Sequence, residues 1–254
     1  MILVENISKT FDSRLILDSI SAKFEPGKVN LVIGQSGSGK TVFLKSIVGL
    51  QKIDSGRILF NDRVFSEMGT KEQKNIRKEM GMLFQGGALF DSLTVEQNVR
   101  FPLDYFSTMS YSEKTERVNF CLSRVNVCNA NNLFPSEISG GMQKRVAIAR
   151  AMALNPRYLF CDEPNSGLDP LTSIVIDKLI REITYEYNIV TIVNTHDMNS
   201  VLGIGDFIVF IHQGKKWWEG GREEVLHAEN KELQDFIFAS ETMKRVKNMK
   251  TVSF

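Results

Sequence analysis

Apolar residues recur along the chain with two different periods. Near the start, Ile2 and Val4 alternate with polar or oppositely facing neighbours, and so do Ile20, Ala22 and Phe24. A period of two predicts strands with one face buried. Pro26-Gly27 marks a turn. Residues 29–33 form a short, largely apolar run, the pattern of a strand buried on both faces. After position 41 the period changes. Phe43, Leu44, Ile47 and Leu50 fall on one face of a helix, which ends by Asp54-Ser55-Gly56. Ile58 and Phe60 open another strand.

Residues 86–156 read as mostly helical. Thr94 with Gln97, and Ser110 with Glu113, have the spacing of capping boxes, in which side chains satisfy the bare N–H groups at a helix start. Val118, Leu122 and Val125 share a helical face. Ser139-Gly140-Gly141 precedes a helix lined by Met142, Val146, Ala149 and Ala153 and stopped near Pro156. Strand and helix then alternate. Residues 158–161 are a strand, and Ile176, Leu179, Ile180, Ile183 and Tyr187 form a helical stripe. Residues 189–193 and 207–211 are strands, and Gln213-Gly214 predicts a hairpin turn before Lys216-Trp217-Trp218. The order is α/β at both ends with a helical insertion between. The two tryptophans are read as strand packing, with a partner surface as the weaker alternative. The last fifteen residues read as a helix fraying into a basic tail with Lys244, Arg245, Lys247 and Lys250. A solvated face is the plainer reading of those charges; anionic lipid or an accessory subunit is the other.

Composition narrows the function. The chain has 254 residues, enough for one large or two modest domains. Thirty-one Lys+Arg against 30 Asp+Glu leave a net charge of +1. That balance argues against affinity for polyanions through bulk charge, so no nucleic-acid partner is expected. Cys121, Cys128 and Cys161 have no CxxC spacing. They read as reduced, partly buried thiols rather than a disulfide framework or a zinc site. No signal peptide is evident, and the apolar runs fall short of the ~18–20 residues of a membrane helix. Any membrane role is expected to pass through a partner.

The first chemistry sits between the buried strand and the helix that follows it. Gly34-Gln35-Ser36-Gly37-Ser38-Gly39-Lys40-Thr41 matches the phosphate-loop pattern G-x-x-x-x-G-K-[ST]. Glycines let backbone N–H groups close around phosphate oxygens, and the helix N-terminus adds its positive dipole end. Lys40 is expected to reach the β- and γ-phosphates and Thr41 to ligate Mg²⁺. The competing reading is a glycine-rich turn with a solvated lysine. A second half-site is expected where the strand 158–161 delivers Asp162-Glu163, because open α/β sheets bind ligands at the carboxyl ends of their strands. Asp162 can hold Mg²⁺ and Glu163 can polarise a water.

With these residues in place, Ser139-Gly140-Gly141-Met142-Gln143 resembles the signature of the ATP-binding cassette (ABC) ATPases, usually Leu-Ser-Gly-Gly-Gln. Ile138 replaces the Leu and Met142 precedes the Gln. Gln85, after Met82-Leu83-Phe84, resembles the Q-loop glutamine that senses Mg²⁺ and the membrane partner. Ser166-Gly167-Leu168-Asp169 resembles the D-loop, and His196 in Asn194-Thr195-His196-Asp197 resembles the switch histidine that contacts the γ-phosphate. Phe11 stands where the family sets an aromatic against adenine, with a core aromatic as the alternative. The resemblance implies a P-loop NTPase fold of ABC-ATPase type: a RecA-like core, an antiparallel β subdomain and an inserted helical subdomain. The cassette is expected over 1–225, with the helical subdomain at about 86–156 and a C-terminal helical extension at 226–254.

The resemblance further implies ATP and Mg²⁺ as cofactors. Residues 34–41, Val42 and Phe11 would hold the nucleotide, with Thr41, Gln85 and Asp162 at the metal. Lys40, Gln85, Glu163 and His196 would carry hydrolysis, Glu163 as general base or water-orienting group. Ser139, Gly140 and Gly141 would complete the site of a second copy in an ATP-sandwich dimer. Residues 84–95 look like the version in Mla-type cassettes, which power phospholipid or retrograde lipid transport with a lipid-binding protein of the mammalian-cell-entry class. General amino-acid importers more often have a proline near Asp91-Ser92. The expected function is therefore the ATPase subunit of such a transporter, peripheral on the cytoplasmic face of the inner membrane through a separate permease. Ala88, Leu89, Phe90 and Leu93 would line the permease groove, or else pack the helical subdomain. A regulator of a non-transporting membrane partner, or a transporter ATPase for another substrate, remains the alternative.

Overall fold

The structure is a computed structural model that describes residues 1–239 and Lys244. The chain begins with a long hairpin, β1 (Ile2–Phe11) and β2 (Arg14–Phe24), followed by β3 (Lys28–Ile33) and α1 (Lys40–Ile47). Next come β4 (Ser55–Phe60), β5 (Arg63–Val64), α2 (Thr70–Arg77) and β6 (Met80–Leu83). Three helices follow, α3 (Val95–Phe106), α4 (Tyr111–Arg124) and α5 (Gly140–Met152). The chain then alternates through β7 (Tyr158–Asp162), α6 (Pro170–Glu186), β8 (Val190–Thr195), α7 (Met198–Ile204), β9 (Phe207–His212) and β10 (Lys215–Gly221). Two short helices, α8 (Arg222–Val225) and α9 (Lys231–Ile237), complete the described elements.

Two sheets organise these elements. A four-stranded antiparallel sheet runs β2-β1-β4-β5, and a six-stranded sheet runs β10-β9-β3-β8-β7-β6. Within the second sheet β9, β3, β8, β7 and β6 are parallel, and β10 pairs antiparallel at the edge. Successive side chains of a strand face opposite ways. Val32, Phe160 and Ile192 therefore join one core with Phe24, Phe43 and Phe60, between the two sheets and α1. Leu31, Leu159 and Val193 join the other, with Val99, Val146, Ile176 and Ile180 from the helices. Burial on both faces explains why these strands read as continuous apolar runs.

The architecture is the α/β arrangement expected, with an antiparallel subdomain and inserted helices. Both capping boxes form, with Thr94 accepting from the N–H of Gln97 at 3.3 Å and Ser110 from that of Glu113 at 3.4 Å. Several local expectations are corrected. Leu50 is not on the buried face of α1: the helix ends at Ile47, Gly49 turns the chain with φ +72°, and Leu50 is exposed. The helical insertion starts at Val95, and residues 84–94 are irregular. β1 extends well past Val4, because register shifts between Val4, Ile7 and Lys9 break its alternation. α2 leaves no stripe in the sequence, since Ile76 is its one buried residue. Cys121 and Cys161 are buried, but Cys128 is exposed.

Trp218 packs against the core, while Trp217 stays exposed with its ring edge-on to His212 at 5.3 Å. Of the tail read as an extension, residues 226–239 contribute Leu233, Ile237 and Phe238 to the helix-side core. Of the basic residues there, Lys244 is helical and exposed; Arg245, Lys247 and Lys250 lie outside the described residues. Phe43 is fully buried and meets the Phe24 ring edge-on at 6.3 Å. Phe43→Ala is expected to cost about 3–5 kcal/mol, read as a lower urea midpoint at unchanged slope.

Candidate functional site

Parallel pairing sets the site. Ile33 at the end of β3 lies opposite Thr195 at the end of β8, and Asp162 at the end of β7 lies opposite Asn194. Three segments far apart in sequence thus leave the sheet at one edge, their carboxyl ends side by side. From β3 the chain turns through residues 34–39 into α1. The turn is tight enough to require glycine at two points. A Cβ on Gly34 would lie 2.2 Å from the carbonyl oxygen of Ile211, and φ there is +151°. Gly39, just before the helix, has φ +107° and would place a Cβ 3.0 Å from the Leu17 side chain.

Lys40 opens α1, and its side chain is buried beneath the loop. Its ammonium donates to the carbonyl oxygens of Gly34 at 2.9 Å and Gln35 at 3.1 Å. Burial pushes its pKa down, and the negative charges of Glu163 and Asp162 oppose that shift. Glu163 Oε1 lies 3.9 Å from Lys40 Nζ, and Glu163 Oε2 lies 2.7 Å from His196 Nδ1. The hydroxyl of Thr41 donates to Asp162 Oδ1 at 3.2 Å, and Asn194 Nδ2 donates to the same oxygen at 3.0 Å. Glu163 holds a left-handed φ of +51° while its N–H donates to the carbonyl of Asn194 at 3.0 Å. A non-glycine residue held there stores strain that its surroundings must offset.

Five predicted residues therefore converge: Lys40, Thr41, Asp162, Glu163 and His196. Gln35, Ser36 and Gly37 form the exposed top of the loop, Ser38 and Gly39 are buried, and Val42 is half-buried in α1. The Ser38 hydroxyl is buried with no partner. A glycine turn closed to a Cβ at Gly34, a buried ammonium and an orphaned hydroxyl are the features a phosphate cradle needs.

Other predicted residues stand apart. Ser139 caps α5, its hydroxyl accepting from the N–H of Met142 at 3.3 Å, with Gly140 exposed and Gly141 half-buried beside it. Gly141 backs onto α6, where an added Cβ would lie 2.7 Å from Thr172 Cγ2. Gln85 is exposed in the turn after β6. Phe11 is 39% exposed near the tip of the first hairpin, with the Lys9 ammonium 5.2 Å from its ring centre, which overturns the core alternative.

Sequence reasoning missed two positioning groups. Asn194 is legible as an amide in a strand whose residues are all buried. Arg150 ties α5 to the turn after Gln85 by donating to the carbonyls of Gly87 at 2.9 Å and Ala88 at 2.8 Å. These contacts are with backbone carbonyls, and its guanidinium also lies 5.9 Å from the Phe90 ring centre; neither leaves a mark in the sequence.

Residues 17–166 match the family described as "ABC transporter". The chain belongs to that family. It is 36% identical over 237 residues to the intermembrane phospholipid transport system ATP-binding protein MlaF of Haemophilus influenzae, covering 93% of this chain and 90% of the relative. It is equally identical to the methionine import ATP-binding protein MetN of Clostridioides difficile, over 93% of this chain and 74% of that one. A probable ribonucleotide transport ATP-binding protein, mkl of Mycobacterium leprae, is 35% identical over 92% and 67%. Among solved structures, the dimeric ATP-binding cassette MJ0796 bound to ADP and Pi superposes with a TM-score of 0.80 at 30% identity, over 87% of this chain and 99% of that one. CbiO1 from Clostridium perfringens gives 0.83 at 28% identity, over 98% of each chain. The cassette is an ABC-type ATPase, the ATP-binding subunit of an ABC transporter. Among the described residues no helix is long and apolar enough to cross a membrane.

Because Gly34 faces the Ile211 carbonyl with no room for a methyl group, Gly34→Ala is expected to destabilise the cassette by at least about 2 kcal/mol in urea denaturation.

Proposed function

We propose that this cassette powers a membrane transporter of the Mla, phospholipid-moving type. The loop 34–41 holds the phosphates of ATP, with Lys40 at the β- and γ-phosphates and Val42 behind it. Phe11 offers its exposed ring to adenine, with the Lys9 ammonium 5.2 Å from the ring centre. Thr41, Asp162 and Gln85 supply hard oxygen donors suited to Mg²⁺, which would neutralise phosphate charge there. Glu163 orients and polarises the attacking water, and His196 holds Glu163 and reaches towards the γ-phosphate. The observation that carries this reading is the run of contacts from Lys40 to Glu163 to His196, with Thr41 on Asp162 beside it.

A second copy completes each site. Ser139, Gly140 and Gly141 stand at the start of a thirteen-residue helix, clear of the chain's own loop, where bare N–H groups favour an anion. The solved MJ0796 cassette is a dimer. The other partners are a membrane permease, which keeps the cassette peripheral on the cytoplasmic face of the inner membrane, and a lipid-binding protein of the mammalian-cell-entry class. The loop 84–95 and the MlaF relative favour lipid. The MetN relative, no less similar, favours a small-molecule importer as the second reading.

Phe90 is exposed and continues into a ladder of rings, 4.7 Å to Phe101 and then 4.8 Å to Tyr105. Ala88 is exposed as well, whereas Leu89 and Leu93 are partly buried. We assign this patch to the permease.

Glu163→Gln is expected to bind ATP, lose hydrolysis and run as an ATP-dependent dimer in size-exclusion chromatography; a monomer at saturating ATP would sink the shared-site reading. Leu89→Asp combined with Phe90→Asp is expected to lose co-purification with the permease while ATP binding persists. Lipid counts rather than methionine as cargo if the permease that co-purifies with the parent chain carries phospholipid.

A further inference from the structure

Behind the site lies a buried acid that the chemistry above does not use. Asp177 sits in the second turn of α6 and is 7% exposed. One of its oxygens accepts from Asn165 Nδ2 at 2.7 Å, and the same amide donates to Ser200 Oγ at 3.1 Å. The Asn165 amide thus joins Asp177 of α6 to Ser200 of α7 in one cluster. Ser200 is fully buried in α7. Burial, and after it the charges of Asp162 and Asp177, push the thiol of nearby Cys161 up.

The cluster joins two stretches of chain beyond the last paired residues of the sheet. The pairing of β7 with β8 ends at Asp162 and Asn194. Beyond it, Glu163 and His196 lie on segments leaving the sheet separately, one towards α6 and the other towards α7. Asn165 follows Glu163 by two positions, and Ser200 follows His196 by four. The Asn165 amide meets both the Asp177 carboxylate and the Ser200 hydroxyl. The left-handed backbone of Glu163 must be held by its neighbours, and two positions on Asn165 is held by the buried Asp177 carboxylate. Both N–H groups of that amide go to Asp177 and Ser200, while its Oδ1 is buried without a partner. Losing the carboxylate would leave a buried donor unsatisfied and the loop free to shift.

We infer that Asp177 is a positioning residue for ATP hydrolysis: it holds Asn165, whose amide also reaches Ser200, and so fixes the loop carrying Glu163 against the segment carrying His196. This rests on the reading of Glu163 as the water-orienting group. Small displacements at such a group lower the rate of the chemical step more than they weaken binding of a nucleotide held by the 34–41 loop.

Phosphate release by the full chain tests it. Asp177→Ala is expected to lower kcat roughly tenfold or more with KM for ATP within about twofold. Asp177→Asn is expected to recover most of the rate, since its carbonyl oxygen can still accept from Asn165. Parental kcat in Asp177→Ala, a loss confined to KM, or an Asp177→Asn no better than the alanine would each overturn the inference. If Asp177→Ala fails to fold, Asn165→Ala decides: the same fall in kcat supports the positioning role, and parental kcat rejects it. Glu163→Gln measured alongside separates the two claims. Its retaining the parental rate removes both, whereas an inactive Glu163→Gln beside a fully active Asp177→Ala removes this one alone.

Discussion

Parallel hydrogen bonding among β3, β8 and β7 is the constraint from which the rest follows. Ile33 pairs with Thr195, and Asp162 with Asn194. A slip of one residue in either pairing would turn the apolar set of a strand to the wrong face and exchange the two cores. It would also carry Asp162 away from Thr41. Packing therefore fixes the register, and the register places the chemistry. Val32, Phe160 and Ile192 on one face, and Leu31, Leu159 and Val193 on the other, hold the strand ends in line so that three distant loops meet.

What meets there is a small set of charges arranged against bulk water. The chain has a net charge of only +1. The proposed anion site has one buried ammonium under a glycine turn, flanked by two carboxylates. Lys40 is drawn towards neutrality by burial and held charged by Glu163 and Asp162. In a low-dielectric setting each of these pairings is stronger than it would be in water, and an unmatched charge costs correspondingly more. Secondary structure supplies the remaining positive potential, since α1 begins at Lys40 itself.

Much of this was legible before any coordinates. The loop 34–41, Asp162-Glu163 and His196 each stand at the end of an apolar run, so their placement follows from strand prediction and the rule that α/β sheets bind at carboxyl ends. The capping boxes at Thr94 and Ser110 were likewise readable, because capping depends on residues three apart. What escaped was non-local or poorly patterned. α2 has a single buried side chain and no stripe. The bulges of β1 broke an alternation that would otherwise have extended it. Arg150 acts on backbone carbonyls 62 and 63 positions away.

Fold class, the glycine-rich loop 34–41, the two carboxylates and the histidine follow from the order of residues alone. Period and motif are properties of neighbouring residues, and these features need nothing else. That Phe11 faces outward, that Leu50 lies past the end of its helix, and that Asn194 shares an oxygen of Asp162 with Thr41 come from tertiary packing. So does the bridge that the Asn165 amide makes between Asp177 and Ser200. Those facts depend on which distant surfaces are pressed together, and that is set by the packing of two cores across one sheet.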